Sequence, residues 1–232
     1  MKKTEDVLIK NKLIQPMTQE TITKKYLLAS TGGSGAGYLL RYFYHLLSVK
    51  AETHWVASEN FFHVLEQEFE LNWREIKAQD VGPKTAQLFS ENKTENKTQK
   101  IVHKFKTYDY KNIKATAASG SSNYEAMIVL PCSMKTLGSI ANGIAENLIE
   151  RAADVTLKER RKLILVIRES PYSLIHIENM KKVHLAGGLI LPASPGFYHH
   201  PKSINDIYDF IVDRVFRHIG IDKPLVSYEG KE

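Results

Sequence analysis

Cysteine occurs once in the 232 residues, as Cys132, which rules out a disulfide within the chain. No run of 18 or more consecutive apolar residues is present, the length a membrane span needs. The lysine-bearing N-terminus also lacks the apolar core and small-residue cleavage site of a secretory leader. The expectation is a soluble cytoplasmic protein with no membrane partner, in which the sequons Asn92-Lys-Thr94 and Asn96-Lys-Thr98 are incidental. What the chain does have is a hydrophobic content of 43%, enough at this length for one core of ordinary globular size.

A formal charge of +6 would suit a nucleic-acid partner only if it covered a binding face. Instead, residues 1–25 hold six lysines against three acids and residues 84–114 hold eight against three, +8 together, so the remainder comes to −2. The basicity belongs to a polar tail and to a segment containing the repeat Glu-Asn-Lys-Thr-Glu-Asn-Lys-Thr at 91–98. Charge runs of this kind are ordinarily solvated, and no nucleic-acid partner is expected.

Past the tail, short β-rich runs alternate with helical patterns, the signature of an α/β fold. Five strands are predicted at Tyr26–Ser30, His54–Ser58, Ala126–Leu130, Leu163–Ile167 and Leu189–Leu191, all continuously apolar as suits strands covered on both faces. Helices are predicted over Tyr38–Leu47, from Ser58 to Glu70, and over Ile175–Leu185 ahead of Gly187-Gly188. A long helix is expected after Ser133, with Leu137, Ile140, Ala141, Ile144 and Leu148 at helical spacing. The last helix follows Pro201, opens on Ser203 and Asp206 placed as a capping box, and stops at Gly220. Its apolar stripe is Ile204, Ile207, Tyr208, Ile211, Val215 and Ile219, and Arg214 on or beside that stripe either snorkels or bonds an anion. The resulting fold class is a single Rossmann/flavodoxin-like three-layer α/β domain with a mostly parallel sheet. Residues 1–25 form a polar extension, 26–222 the domain, and 223–232 a tail. A polar insertion spans about 73–118, in which the alternation at Ile101–Phe105 would allow a small hairpin.

Chemistry concentrates at the strand ends. The first strand runs into Thr31-Gly-Gly-Ser-Gly-Ala-Gly37, whose glycines allow a tight turn and close backbone approach at a helix N-terminus. That fits a phosphate or a flavin ring, or simply a turn. The second and third strand ends lead to helices opened by Ser58 and by Ser133-Met134-Lys135-Thr136. Each serine alone could be only a helix cap. Three such ends on the edge where open α/β sheets bind ligands, with cations downstream, point to one nucleotide-type ligand. From Pro131 to Glu169 charge also stands where a packed helix and a buried strand should have little, as Arg151, Lys158, Arg160, Arg161, Arg168 and Glu169. Arg151 and Lys158 are seven apart and share a face if the helix is continuous. Arg160 and Arg161 read as a solvated helix end favoured by the macrodipole, and Arg168 could pair with its neighbour Glu169.

These residues resemble the UbiX-type flavin prenyltransferases over about residues 26–222. The matching segments are Gly-Gly-Ser-Gly-Ala at 32–36, Ala118-Ser-Gly-Ser121, Pro131-Cys-Ser-Met-Lys-Thr136, Arg151-Ala-Ala-Asp-Val-Thr-Leu-Lys-Glu-Arg-Arg161, Arg168-Glu169 and Pro195-Gly-Phe-Tyr-His-His-Pro201. The resemblance implies an enzyme that joins the dimethylallyl group of dimethylallyl phosphate to N5 and C6 of reduced FMN. It further implies that no metal is needed and that prenylated FMN passes to a UbiD-type decarboxylase. A homo-oligomer, a dodecamer with sites between subunits, is implied as well.

By position, the resemblance places FMN on Gly32, Gly33, Ser34, Ser58, Ser133, Met134, Lys135, Thr136 and Arg168. It places the prenyl phosphate on Arg151, Lys158, Tyr198 and Arg214, and proton handling on Ser34, Glu68 and Glu169. Glu68 is chosen over Glu66 and Glu70 because its distance from Ser34 fits the family pattern. Phe197, Tyr198 and Tyr228 are candidate aromatics for the allyl pocket, Tyr228 standing where the family often has Trp. The alternative is an FMN-dependent homo-oligomeric cysteine decarboxylase. Its usual Pro-Ala-Ser-Ala-Asn-Thr segment is replaced here by Pro-Cys-Ser-Met-Lys-Thr, and its Pro-x-Met-Asn-x-x-Met-Trp segment is absent.

Overall fold

The computed structural model describes residues 24–89 and 100–226. The repeat at 91–98, both sequons, nearly all of the N-terminal extension and Tyr228 lie outside the described residues.

The elements in chain order are β1 (Lys25–Ser30), α1 (Ala36–Leu46), β2 (Glu52–Ala57), α2 (Glu59–Phe69), α3 (Ala78–Leu88), β3 (Lys104–Asp109), β4 (Ala126–Cys132), α4 (Met134–Ala141), α5 (Leu148–Lys158), β5 (Lys162–Ile167), α6 (Leu174–Leu185), β6 (Leu189–Pro192) and α7 (Ile204–Ile219). The six strands form one sheet in the order β3-β2-β1-β4-β5-β6, and every pairing is parallel. The order reverses between β1 and β4, so the loops leaving those two strands diverge and open a crevice at the sheet's C-terminal edge.

Side chains on each strand alternate between two cores, as the two-residue strand period requires. Tyr26, Leu28, Ala126, Ile128, Leu130, Ile164 and Val166 pack beneath α1, α2, α3 and α7. Leu27, Ala29, Met127, Val129, Leu163, Leu165 and Ile167 pack beneath α4, α5 and α6. Coverage of both faces explains why these strands read as unbroken apolar runs. On the first face α1 and α7 meet through Tyr42 and Phe216, with ring centroids 5.2 Å apart, and through Tyr38 and Tyr208 at 5.0 Å. Gly37 permits that approach, since a Cβ there would stand 2.4 Å from Cζ of Tyr208.

Three expectations are corrected. The helix after Ser133 is two helices, α4 and α5, because Gly143 takes a left-handed φ of 69° and Asn147 caps a fresh start by accepting from the amide of Glu150. The residues at Ile101–Phe105 do not make a hairpin. Lys104–Asp109 instead joins β2 as a parallel edge strand, with Lys104 and Lys106 exposed. The segment read as a polar insertion also supplies α3 and buries Trp73, Val81 and His103. The Ser203–Asp206 capping box and the stop at Gly220, φ 71°, are present.

Candidate active site

The loop after β1 is tied to the loop after β4 by one side chain. The amide and hydroxyl of buried Thr31 both donate to the carbonyl of Pro131, at 3.0 Å each, and the same hydroxyl accepts from the amide of Ser133 at 2.8 Å. This brings the glycine-rich turn and the entrance of α4 together. Gly32 leaves no room for a side chain, as its Cβ would lie 2.7 Å from Cβ of Asn60 at the start of α2. Ser58 caps α2 by accepting from the amide of Phe61 at 3.3 Å, and Ser133 caps α4 by accepting from the amide of Thr136 at 3.3 Å. Between these helix entrances lies a cleft of about 370 Å³ lined by Thr31, Gly32, Ser58, Asn60, Ser133 and Thr136, with Tyr110, Lys135 and Asn147 among its other walls.

The cleft's walls combine helix-end amides with charges of both signs, Lys135 and Glu59. Helix N-termini present unpaired amides and the positive ends of their dipoles. Lys135 adds an ammonium in the first turn of α4, a position the dipole disfavours, and is held there by Glu150 at 2.5 Å. Burial alone would raise the Glu150 carboxyl, but bonds from Lys135, the Glu146 amide and Ser139 outweigh it and hold the group below its ordinary range.

Beside the glycine turn, α1 has no cap of its own. Glu68 supplies one from α2, accepting from the amide of Gly35 at 3.0 Å and of Ala36 at 2.8 Å. Glu68 is therefore next to Ser34, but as an engaged carboxylate. From the end of β5, Arg168 donates to the carbonyl of Ser34 at 3.4 Å rather than pairing with Glu169, which accepts from the amide of Ser170 at 3.0 Å. Gly32, Gly33, Ser34, Ser58, Ser133–Thr136, Glu68, Arg168 and Glu169 thus share one sheet edge.

The cations assigned to prenyl phosphate do not all meet. Arg214 donates to the hydroxyl of Tyr198 at 2.8 Å, with its guanidinium 5.1 Å from the ring centre of Phe210. Lys158 and Arg151 do share the continuous helix α5, where Arg151 pairs with Asp154 at 2.8 Å and Lys158 with Glu159 at 3.5 Å. However, α5 packs on one face of the sheet and α7 on the other, so a single chain does not assemble Lys158 with Tyr198 and Arg214. Arg161 is not merely solvated, since its guanidinium clamps the carbonyls of Gly120 and Ser122.

Sequence reading missed Thr31, Asn60, Tyr110 and Asn147. Thr31 and Asn147 carry a signal in hindsight, a hydroxyl ahead of the glycines and a cap residue ahead of a new apolar turn. Asn60 and Tyr110 reach the cleft only through tertiary folding.

A family model for flavoproteins matches residues 14–216. The flavin prenyltransferase UbiX of Methanocaldococcus jannaschii is 38% identical over 206 residues, 89% of this chain and 98% of that protein. The chain belongs to the UbiX flavin prenyltransferase family of flavoproteins. Among solved structures of UbiX proteins, AnUbiX in complex with FMN and dimethylallyl pyrophosphate is 32% identical, covers 89% of this chain and all of its own, and superposes with a TM-score of 0.71. A dodecameric FMN-dependent UbiX-like decarboxylase from Escherichia coli O157:H7 is 35% identical with the same coverage and a TM-score of 0.73.

Proposed function

We propose that this enzyme transfers the dimethylallyl group of dimethylallyl phosphate to N5 and C6 of reduced FMN, and that the prenylated FMN serves a UbiD-type decarboxylase in the cytoplasm. The observation that carries the reading is the convergence of three helix entrances on one cleft, in a chain that matches flavin prenyltransferases over nearly its whole length. The cleft fits FMN on its own terms, with backbone amides, the Ser58, Ser133 and Thr136 hydroxyls, and a glycine where a Cβ would collide with Asn60.

Reduced FMN brings the nucleophilic ring atoms, and the protein's residues do the rest. Ser58 and Ser133–Thr136 hold the flavin with amides and hydroxyls at helix starts. Arg168 offers fixed guanidinium donors to the flavin and is steadied by the Ser34 carbonyl. Tyr198, Arg214, Lys158 and Arg151 hold the prenyl phosphate and stabilise the charge that grows on it as the carbon–oxygen bond breaks. Glu169 and Glu68 handle protons near Ser34, including removal of the proton at C6. The face of Tyr198, with Phe197, shields the allyl group.

Because Lys158 lies on the layer opposite Arg214, the prenyl-phosphate site is completed between copies of the chain in a homo-oligomer of dodecameric type. Apolar side chains left exposed on α6 and the loop between β6 and α7 suit such contacts, with Leu174 and Ile175 each 72% and Phe197 64% exposed. No residue pattern here favours cysteine oxidation instead.

The test is anaerobic incubation of the purified protein with reduced FMN and dimethylallyl phosphate, followed by mass spectrometry of the flavin. A flavin heavier by one five-carbon unit is expected. An unmodified flavin with both dimethylallyl mono- and diphosphate would overturn the reading.

A further inference from the structure

The imidazole of His199 is an anomaly in the loop between β6 and α7. Both of its ring nitrogens are shielded from solvent, and neither has a hydrogen-bond partner. The ring stacks on Phe210 with centroids 5.4 Å apart and planes 20° apart. Phe210 also meets the edge of Tyr198 at 5.7 Å and lies under the Arg214 guanidinium at 5.1 Å. One phenyl ring is therefore the common platform for His199, Tyr198 and Arg214.

Stacking alone does not account for an imidazole here. A phenyl ring would stack as well, without removing two polar atoms from water unpaired, which costs stability. Native proteins keep few such orphans, and those they keep call for a ligand or a function. Among the described residues the only other orphaned side chain is the hydroxyl of Tyr42, sealed in the core between α1 and α7 and away from any anion-binding group. His199 differs in standing next in sequence to Tyr198, which Arg214 already engages. Its other neighbour, His200, holds a left-handed φ of 51°, a conformation disfavoured outside glycine, and Tyr198 is 48% exposed. The imidazole thus stands in a loop whose neighbouring aromatic is half exposed, beside the groups that would gather an anion.

We propose that His199 is a further binding residue for the prenyl phosphate, turning to donate a ring N–H to the anion that Tyr198 and Arg214 gather. This rests on the function proposed above. The ligand-free state is then the frustrated one, and the arriving phosphate satisfies the orphan.

The experiment compares wild type with His199→Phe, which keeps the stack and removes both nitrogens, and with His199→Gln, which keeps a donor. His199→Phe is expected to bind FMN normally and to melt at or above the wild-type temperature, yet to raise the KM for dimethylallyl phosphate about tenfold or more, the usual weight of one hydrogen bond to a charged group. His199→Gln is expected to recover most of that loss. An unchanged KM in His199→Phe, or an equal loss in both variants, would overturn the proposal. Should His199→Phe fail to fold, His199→Met takes its place with the same two outcomes. Wild-type protein that leaves reduced FMN unmodified would instead overturn the parent function, so the two failures are distinguishable.

Discussion

Substitution of Glu68 separates two roles that one carboxylate plays here. The side chain spans from α2 to α1 and accepts from the amides of Gly35 and Ala36 at 3.0 and 2.8 Å, capping a helix whose own N-cap position offers no side-chain bond. Glu68→Ala leaves both amides to water, and loss of a cap costs about 1–2 kcal/mol. Glu68→Gln can keep its one oxygen at the Oε2 position, in reach of the Gly35 and Ala36 amides, but it replaces the accepting Oε1 by an NH2 and removes the charge that favours a helix N-terminus, worth about 0.3–1 kcal/mol at an exposed position. At roughly 2–4 °C per kcal/mol for a domain of this size, the melting temperature should fall by roughly 2–8 °C in Glu68→Ala and by roughly 1–4 °C in Glu68→Gln. Proton handling carries a different signature. A positioned acid or base contributes on the order of 100-fold or more, so Glu68→Gln should lower kcat by about that factor despite its small thermal cost. Thermal melts of both variants with FMN bound, beside single-turnover prenylation well below the melting temperature, read the two roles independently. A Glu68→Ala protein that melts like wild type would refute the cap. A Glu68→Gln protein with wild-type kcat would refute the catalytic role and leave the residue structural.

Gly37→Ala places a Cβ 2.4 Å from the Tyr208 ring, and the displaced ring should cost about 1–3 kcal/mol in denaturant unfolding. An unchanged midpoint would show that α1 and α7 have slack. Burial is the main cause that pulls the His103 imidazole down to about 4 from an ordinary 6.5, with a modest opposing effect from its bond to the Val49 carbonyl. The folded state therefore resists taking a proton that the unfolded chain accepts. Stability should fall as pH drops from about 6.5 towards 4, by on the order of 3 kcal/mol at about 1.4 kcal/mol per pH unit. Urea titrations at pH 7 and 4.5 check this, and a slope unchanged by His103→Gln would refute it. Arg214→Ala should retain FMN while the KM for dimethylallyl phosphate rises about 10- to 100-fold, because a charge-assisted donor is lost. Equal loss of flavin would reassign the residue to structure.

Local rules wrote much of this chain in readable form. Strands buried on both faces must be apolar throughout, and β1, β4 and β5 were legible for that reason, while β2 and the edge strand β6 were legible from shorter apolar runs. Ser58, Ser133 and the Ser203–Asp206 box were legible because capping depends on a few adjacent residues. The edge strand β3 was not, since Lys104 and Lys106 stand exposed on the face opposite Phe105 and break the apolar run. The split between α4 and α5 was obscured because Ile144 and Leu148 keep helical spacing across a turn at Gly143 that only its backbone angle reveals.

By itself, then, the sequence determined the layer architecture, the helix entrances and the chemistry of the cleft, because periodicity, caps and glycine turns are local physics. Tertiary structure alone decided that Thr31 fastens two loops a hundred residues apart, that Glu68 is a cap as well as a carboxylate, and that Lys158 and Arg214 face away from each other across the sheet. The reason is geometric. Which residues distant in sequence come within hydrogen-bond reach is set by strand order and by the face on which each helix packs, and neither is written in any single segment.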